Sequence, residues 1–330
     1  MFHYLQAGDQ IGIFSPSSPG TVRAPLRFER GKQFLKSKGL TVIEGNLTGE
    51  NDTYRSGTAK ARAAELNELI CNPDIKVIMS TIGGTNSNSM LPYIDYEALK
   101  ANPKIVVGYS DVTAILLGLY AMTGVPTFYG PALISSFGEF EPLVLDTYDY
   151  FERFFMMPQQ LPYDVPMPSF WSDEKVNWET KITEKALYQN EWICASSGFA
   201  EGKLIGGNLN AMYGILGSPY MPDIQEGDIL LIEDCSKTIA TIEKNFAMLK
   251  VNGIFDKIGG IILGKHEQFD DLGTARKPYE VLLEILDGAS IPVLAAFDTC
   301  HTHPMHPMPI GRKVALDATN KHVYLMEKWL

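Results

Sequence analysis

Lys104-Ile-Val-Val-Gly-Tyr-Ser-Asp-Val-Thr-Ala-Ile-Leu-Leu-Gly-Leu-Tyr120 carries a β-branched apolar run into Gly108, Tyr109 and Ser110, and then into a helical pattern. The spacing predicts a strand, a sharp turn and an amphipathic helix. A side chain at such a turn stands proud of the backbone, beside the N–H groups that the first helical turn leaves unpaired. Ser110 therefore reads as a candidate nucleophile, because those donors can meet the negative charge that develops on an attacked carbonyl. Ser-Asp before an apolar helix is also a good N-cap, so a purely structural role stands beside the chemical one.

The same alternation extends to either side. Residues 10–14 read as a strand, 15–20 as a turn-rich loop, Pro25 to Lys38 as a helix closed by Gly39, and Thr41 to Glu44 as a second strand. Thr58 to Cys71 has helical spacing, and Ile75 to Ile82 is a third strand ending at Gly83-Gly84. Strands alternating with helices imply a parallel sheet covered by helices, whose ligands gather at the carboxyl ends of the strands. That rule brings together the loops 15–20, 83–89 and 108–111. Gly83 to Asn88 is suited to hold a phosphate or carboxylate on backbone N–H groups, although it lacks the Gly-Lys-Ser/Thr ending of a P-loop.

A helix and a proline-laden crossover (Pro158, Pro162, Pro166, Pro168) lead to a boundary near residue 160. Two domains are expected, 1–160 and 161–330. The second half is again mixed α/β, with strands at 228–234, 258–264 and 292–297 and helices at 238–251 and 279–286. Phe170, Trp171 and Trp178 crowd one loop, either packing on the domain interface or presenting a stacking surface to a planar ligand.

Composition narrows the class. The 330 residues are 45% apolar and 20% charged, with a net charge of −11, which disfavours a nucleic-acid partner. Four scattered cysteines show neither a zinc-ribbon spacing nor a disulfide framework, fitting a reducing cytoplasm. No export signal and no membrane span are expected.

Two strand ends supply partners for Ser110. The run Ile229-Leu-Leu-Ile ends in Glu233-Asp234, where a carboxylate can accept a hydrogen bond from an imidazole. After the 292–297 strand come His301, His303 and His306, half of the six histidines. The His-x-His-x-x-His spacing admits a metal cluster, but Pro304 and Pro307 interrupt any regular element that would align the rings, and no further ligand motif accompanies them. His301 is the candidate base, with His303 and His306 behind it or at the surface. No metal and no cofactor is expected.

The segments 83–95, 107–114, 206–209, 231–234 and 301–311 together resemble the LD-carboxypeptidase family of serine peptidases, and within it the microcin C immunity branch. The resemblance spans nearly the whole chain in order. It implies a flavodoxin-like N-terminal domain with the nucleophile, a smaller mixed α/β C-terminal domain with the acid and base, and a homodimer. Ser110 is then the nucleophile, Glu233 the orienting acid, His301 the base, and the backbone at Gly84 and Asp111 the oxyanion hole. The family's Phe-Gly-His stands here as Thr299-Cys300-His301. The implied reaction is cleavage of the amide between an aminoacyl group and a modified nucleotide, with Phe170, Trp171 and Trp178 stacking on the base and Asn210 and Lys237 contacting the ligand. A muropeptide LD-carboxypeptidase is the alternative within the family, and a small-molecule binding protein without chemistry the alternative outside it.

Overall fold

Buried apolar runs form the first sheet in a computed structural model that describes residues 2–180 and 183–330. β1 (Gln10–Phe14), β2 (Thr41–Glu44), β3 (Ile75–Ser80), β4 (Ile105–Gly108) and β5 (Thr127–Tyr129) are parallel, in the order β2-β1-β3-β4-β5. That order is flavodoxin-like, with its switch point between β1 and β3. Strands β3 and β4 are buried almost throughout, as helices on both faces require. Helices Pro25–Ser37 and Ala59–Cys71 lie where periodicity places them. Thr58 caps the second by accepting the Ala61 N–H at 3.2 Å.

One expectation is corrected. The helix after Ser110, Thr113–Thr123, is not amphipathic, because every residue from Thr113 to Leu119 is buried. Its outer face is covered by a second sheet, and a helix sandwiched between two layers has no face left for polar side chains. The approach is close at Gly207, where an added Cβ would lie 2.7 Å from Thr113 Oγ1 at a φ of +146°.

After the helix Leu143–Phe155 come three short strands, β6 (Tyr163–Asp164), β7 (Phe170–Trp171) and β8 (Tyr188–Gln189). The second sheet is then built from β9 (Ile193–Ser196), β10 (Phe199–Asn208), β11 (Ile229–Glu233), β12 (Gly260–Gly264) and β13 (Val293–Phe297). Strands β10 to β13 are parallel, and β9 pairs antiparallel with β13. The chain then crosses back, and β14 (Met308–Ile310) adds antiparallel to β5 at the edge of the first sheet. Finally β15 (Lys313–Asp317) and β16 (His322–Leu325) extend the second sheet, giving the order β6-β16-β15-β10-β11-β12-β13-β9. The carboxyl ends of β4, β11 and β13 converge from the two sheets.

Candidate active site

Ser110 sits where β4 gives way to a 3₁₀ turn, Ser110–Val112, and takes a left-handed φ of +64°. A non-glycine residue there is strained, and such strain persists only where the surroundings hold it. Several contacts hold it here. The Ser110 N–H donates to the Tyr129 hydroxyl (3.1 Å), and the Thr113 hydroxyl donates to the Ser110 carbonyl (2.7 Å). The capping role does not materialise. No side-chain cap bond is made at this turn, and Asp111 instead accepts the Ser87 N–H at 2.8 Å.

The Ser110 hydroxyl lies 2.9 Å from His301 Nε2, and His301 Nδ1 lies 2.6 Å from Glu233 Oε2. With the proton on Nδ1, the imidazole donates to the carboxylate and accepts from the serine. Glu233, at the last position of β11, is fully buried. Its other oxygen accepts from the Tyr129 hydroxyl (2.6 Å) and from Asn208 Nδ2 (3.0 Å). Burial alone would raise the Glu233 carboxyl, but the His301 ring and these donors hold it below the usual range. Burial would likewise push the His301 imidazolium down. The Glu233 carboxylate, with Cys235 beside the ring, outweighs it and raises His301 well above an ordinary histidine.

Beside Ser110 the Gly83-Gly84 turn closes in. A Cβ on Gly83 would meet Ser110 Cβ at 2.7 Å and its Oγ at 2.8 Å, so only glycine lets this backbone pass. The turn and the N–H groups of the first helical turn, Asp111 included, therefore flank the hydroxyl, where helix geometry leaves donors without intrahelical acceptors.

A cavity of about 440 Å³ opens onto these groups, lined by Gly83, Gly84, Ser110, His301 and Trp178 among others. Trp178 is the one expected aromatic that lines it, with the Arg27 guanidinium 4.6 Å above its ring. Phe170 and Trp171 lie instead in the β7–β8 ribbon. Phe170 is exposed, and Trp171 packs against Tyr188 (5.6 Å) and the Lys265 ammonium (5.4 Å). Asn210 is exposed on the short helix Leu209–Tyr213, and Lys237 is 3.9 Å from Asp234, one residue beyond the cavity-lining Ser236.

The other two histidines are not at the surface. His303 is buried with Nε2 3.1 Å from Ser136 Oγ, and His306 is buried with Nδ1 2.6 Å from the Pro307 carbonyl. Burial pushes both down to about 3. The three rings thus serve different partners, and among the described residues no group of three or more His, Cys, Asp or Glu is placed to hold a metal ion. The departure at Cys300 is accommodated, since the left-handed φ in this segment falls on Ala296 (+62°) and the Cys300 thiol is buried against the Phe297 carbonyl.

Sequence patterns pointed to neither Tyr129 nor Asn208. Gly206-Gly207-Asn208 was the available signal for the second, two residues before Asn210. Tyr129→Phe removes the acceptor for the Ser110 N–H and a donor to Glu233. It is expected to destabilise the fold by about 1–3 kcal/mol, read as a lower denaturant midpoint at unchanged slope.

A hydroxyl, an imidazole and a buried carboxylate in one chain of hydrogen bonds are the parts of an activated oxygen nucleophile. Comparison with known proteins agrees with that chemistry. Residues 11–130 match the LD-carboxypeptidase N-terminal domain and residues 201–316 its C-terminal domain. The chain is 57% identical to the microcin C7 self-immunity protein MccF of Escherichia coli, over 99% of this chain and 95% of that protein. It is 52% identical to a putative carboxypeptidase of Vibrio cholerae, over 99% and 97% of the respective lengths. The solved structure of apo MccF superimposes with a TM-score of 0.98 at 55% identity, covering 100% of this chain and 99% of that one. MccF has also been solved in complex with aspartyl sulfamoyl adenosine and with glutamyl sulfamoyl guanosine. With both halves of the family and a full-length relative matched, the chain belongs to the LD-carboxypeptidase family of serine hydrolases.

Proposed function

We propose that this protein hydrolyses the amide-type bond joining an aminoacyl group to a modified nucleotide, and so detoxifies microcin C-like compounds. The observation that carries the reading is the relay of 2.9 Å and 2.6 Å from Ser110 through His301 to Glu233, opening onto a cavity walled by Trp178. The complexes of MccF with aminoacyl sulfamoyl nucleosides support the substrate class.

In this mechanism neutral His301 takes the Ser110 proton as the oxygen attacks the acyl carbonyl, and Glu233 stabilises the imidazolium that forms. The N–H groups of Gly84 and Asp111 receive the oxyanion. His301 then protonates the leaving nitrogen, and water, activated by the same imidazole, releases the acyl group from Ser110. Trp178 offers a ring to the nucleobase, with Phe170 and Trp171 in the neighbouring ribbon and Asn210 and Lys237 reaching the ligand from the rim. The chain divides near residue 160, with the nucleophile on one side and acid and base on the other. The protein acts in the cytoplasm as a homodimer, for which light scattering should return twice the 36.6 kDa chain mass.

Incubation with aspartyl sulfamoyl adenosine and with a murein tetrapeptide, followed by mass spectrometry, tests the assignment. Release of aspartate from the first is expected. Turnover of the tetrapeptide alone would replace this reading with the cell-wall one. Gly83→Ala, by displacing the Ser110 side chain, is expected to lower kcat by about 10²-fold while the protein still unfolds in one cooperative transition at a lower midpoint, which steady-state kinetics and calorimetry check together.

A further inference from the structure

Beyond Trp178 the cavity wall holds a charge cluster that the hydrolytic relay does not use. Glu139 is bridged by both Arg27 (2.7 Å) and Lys185 (3.0 Å), and the three side chains are 0%, 1% and 6% exposed. Burial alone would raise the Glu139 carboxyl, but the two cations hold it at about 2, so it stays ionised. Two buried cations thus share one carboxylate. A net positive charge withdrawn from water is costly unless something else neutralises it.

The surroundings hold charges of both signs and leave hydrogen-bonding capacity over. Arg27 is otherwise committed to the Ile134 and Ser135 carbonyls (2.9 and 2.8 Å). Its neighbour Arg30, stacked on Phe140, adds a further cation. Glu179 accepts the Leu26 and Arg27 N–H groups at the start of their helix (3.0 and 3.3 Å). Of the other charged side chains on the cavity, Glu174 accepts the Ala186 N–H (2.7 Å), and Lys175 adds positive charge. Glu267, whose carboxyl burial raises, also feels the Lys185 ammonium. His303, on the same wall, uses Nε2 on Ser136 and has no hydrogen-bond partner for its buried Nδ1 among the described residues. Arg27, Lys185 and His303 all line the cavity that holds Ser110.

We propose that Lys185, backed by Arg27 and flanked by His303, forms an anion subsite that receives a negatively charged oxygen group of the substrate. This deepens the proposed function and rests on it for the substrate class. Two parts of an aminoacyl nucleotide carry such a group, an acidic aminoacyl side chain and the phosphoryl of the nucleotide. Lys185 supplies the charge as a point cation, Arg27 holds the field through its fixed fork, and His303 Nδ1 offers a neutral hydrogen bond.

Binding measured by calorimetry in a Ser110→Ala background separates the sources. One pair of probes is aspartyl and asparaginyl sulfamoyl adenosine, and the other is AMP and adenosine. Within one pair the charged member should bind about tenfold or more tightly. Lys185→Met should largely abolish that preference and Lys185→Arg should keep it. Loss of the first preference assigns the aminoacyl carboxylate, and loss of the second assigns the phosphoryl. Equal binding within both pairs, or wild-type ratios in Lys185→Met, overturns the subsite. If the methionine variant lacks a cooperative unfolding transition, Lys185→Gln, which can still hydrogen-bond Glu139, carries the same comparison. Hydrolysis of aspartyl sulfamoyl adenosine by the unmodified protein is scored separately. Its absence refutes the proposed function and leaves the binding ratios to decide the subsite.

Discussion

Ser110→Ala is expected to lower kcat on aspartyl sulfamoyl adenosine by on the order of 10⁶-fold, while substrate still binds. The size follows from what is removed. Without Oγ no acyl-enzyme forms, and the remaining groups offer only an oriented substrate and an oxyanion site. Those alone give a residual acceleration of about 10³–10⁴ over water in the comparable serine peptidase case. The fold should tolerate the change, since the contacts that hold residue 110 come from its N–H and carbonyl, to Tyr129 and Thr113. Stopped-flow or discontinuous kinetics with calorimetric binding on the same preparation would show it. Retention of full activity would mean that Ser110 is a structural residue and the hydrolytic reading is wrong.

Glu233→Gln carries the second largest expected effect, a fall in kcat of about 10⁴-fold and a displaced pH profile. Attack needs His301 neutral, so the rate falls as pH drops through its pKa. In the unmodified protein burial opposes the charged ring, but the Glu233 carboxylate, with Cys235, overrides burial and raises that pKa well above 6.5. The acid limb of kcat/KM should therefore lie above the position of an ordinary histidine. With glutamine the carboxylate's contribution disappears while burial remains, and the limb should move to lower pH even as the plateau drops. Glutamine also presents an amide that can face Nδ1 with either end, so the tautomer is no longer enforced. An unshifted limb in the variant would show that another group governs the profile.

The two effects should not add. Serine, histidine and acid act as one unit, so the double variant is expected to be about as slow as Ser110→Ala alone.

Much of this organisation was legible along the chain. The strands and longer helices read up to residue 123 lie within a few residues of where periodicity puts them, because each is set by local burial pattern and turn residues, whereas the short helix Tyr96–Ala101 was not read. Ser110, Glu233 and His301 each stood at a strand end with a chemically suited neighbourhood, and the ordered family segments connected them. The C-terminal pair β15–β16 and the return strand β14 were not read. Their alternation is short, and β14 becomes a strand only because β5 offers it an open edge.

Within the site, the limits are of the same kind. Tyr129 on β5 and Asn208 on β10 look like ordinary strand residues, and only the packing of two sheets brings both onto Glu233. Asn210, two positions on, is exposed on the helix that begins at Leu209 with Asn208 as its cap. The aromatic loop was read as one surface, yet Trp178 reaches the cavity while Phe170 and Trp171 enter a separate ribbon.

By itself, then, the sequence determined the alternating α/β pattern, the sharp turn at Ser110 and the identity of the groups able to act as nucleophile, acid and base. These depend on nearest neighbours along the chain, through hydrophobic period, glycine placement and side-chain chemistry. Tertiary structure alone decided the 2.9 Å and 2.6 Å contacts, the direction of the His301 shift, the burial of the Thr113–Thr123 helix and the sharing of Glu139 by two cations. Distances between groups 68 and 191 residues apart along the chain, and the removal of water around them, are properties of how layers pack, which no local pattern encodes.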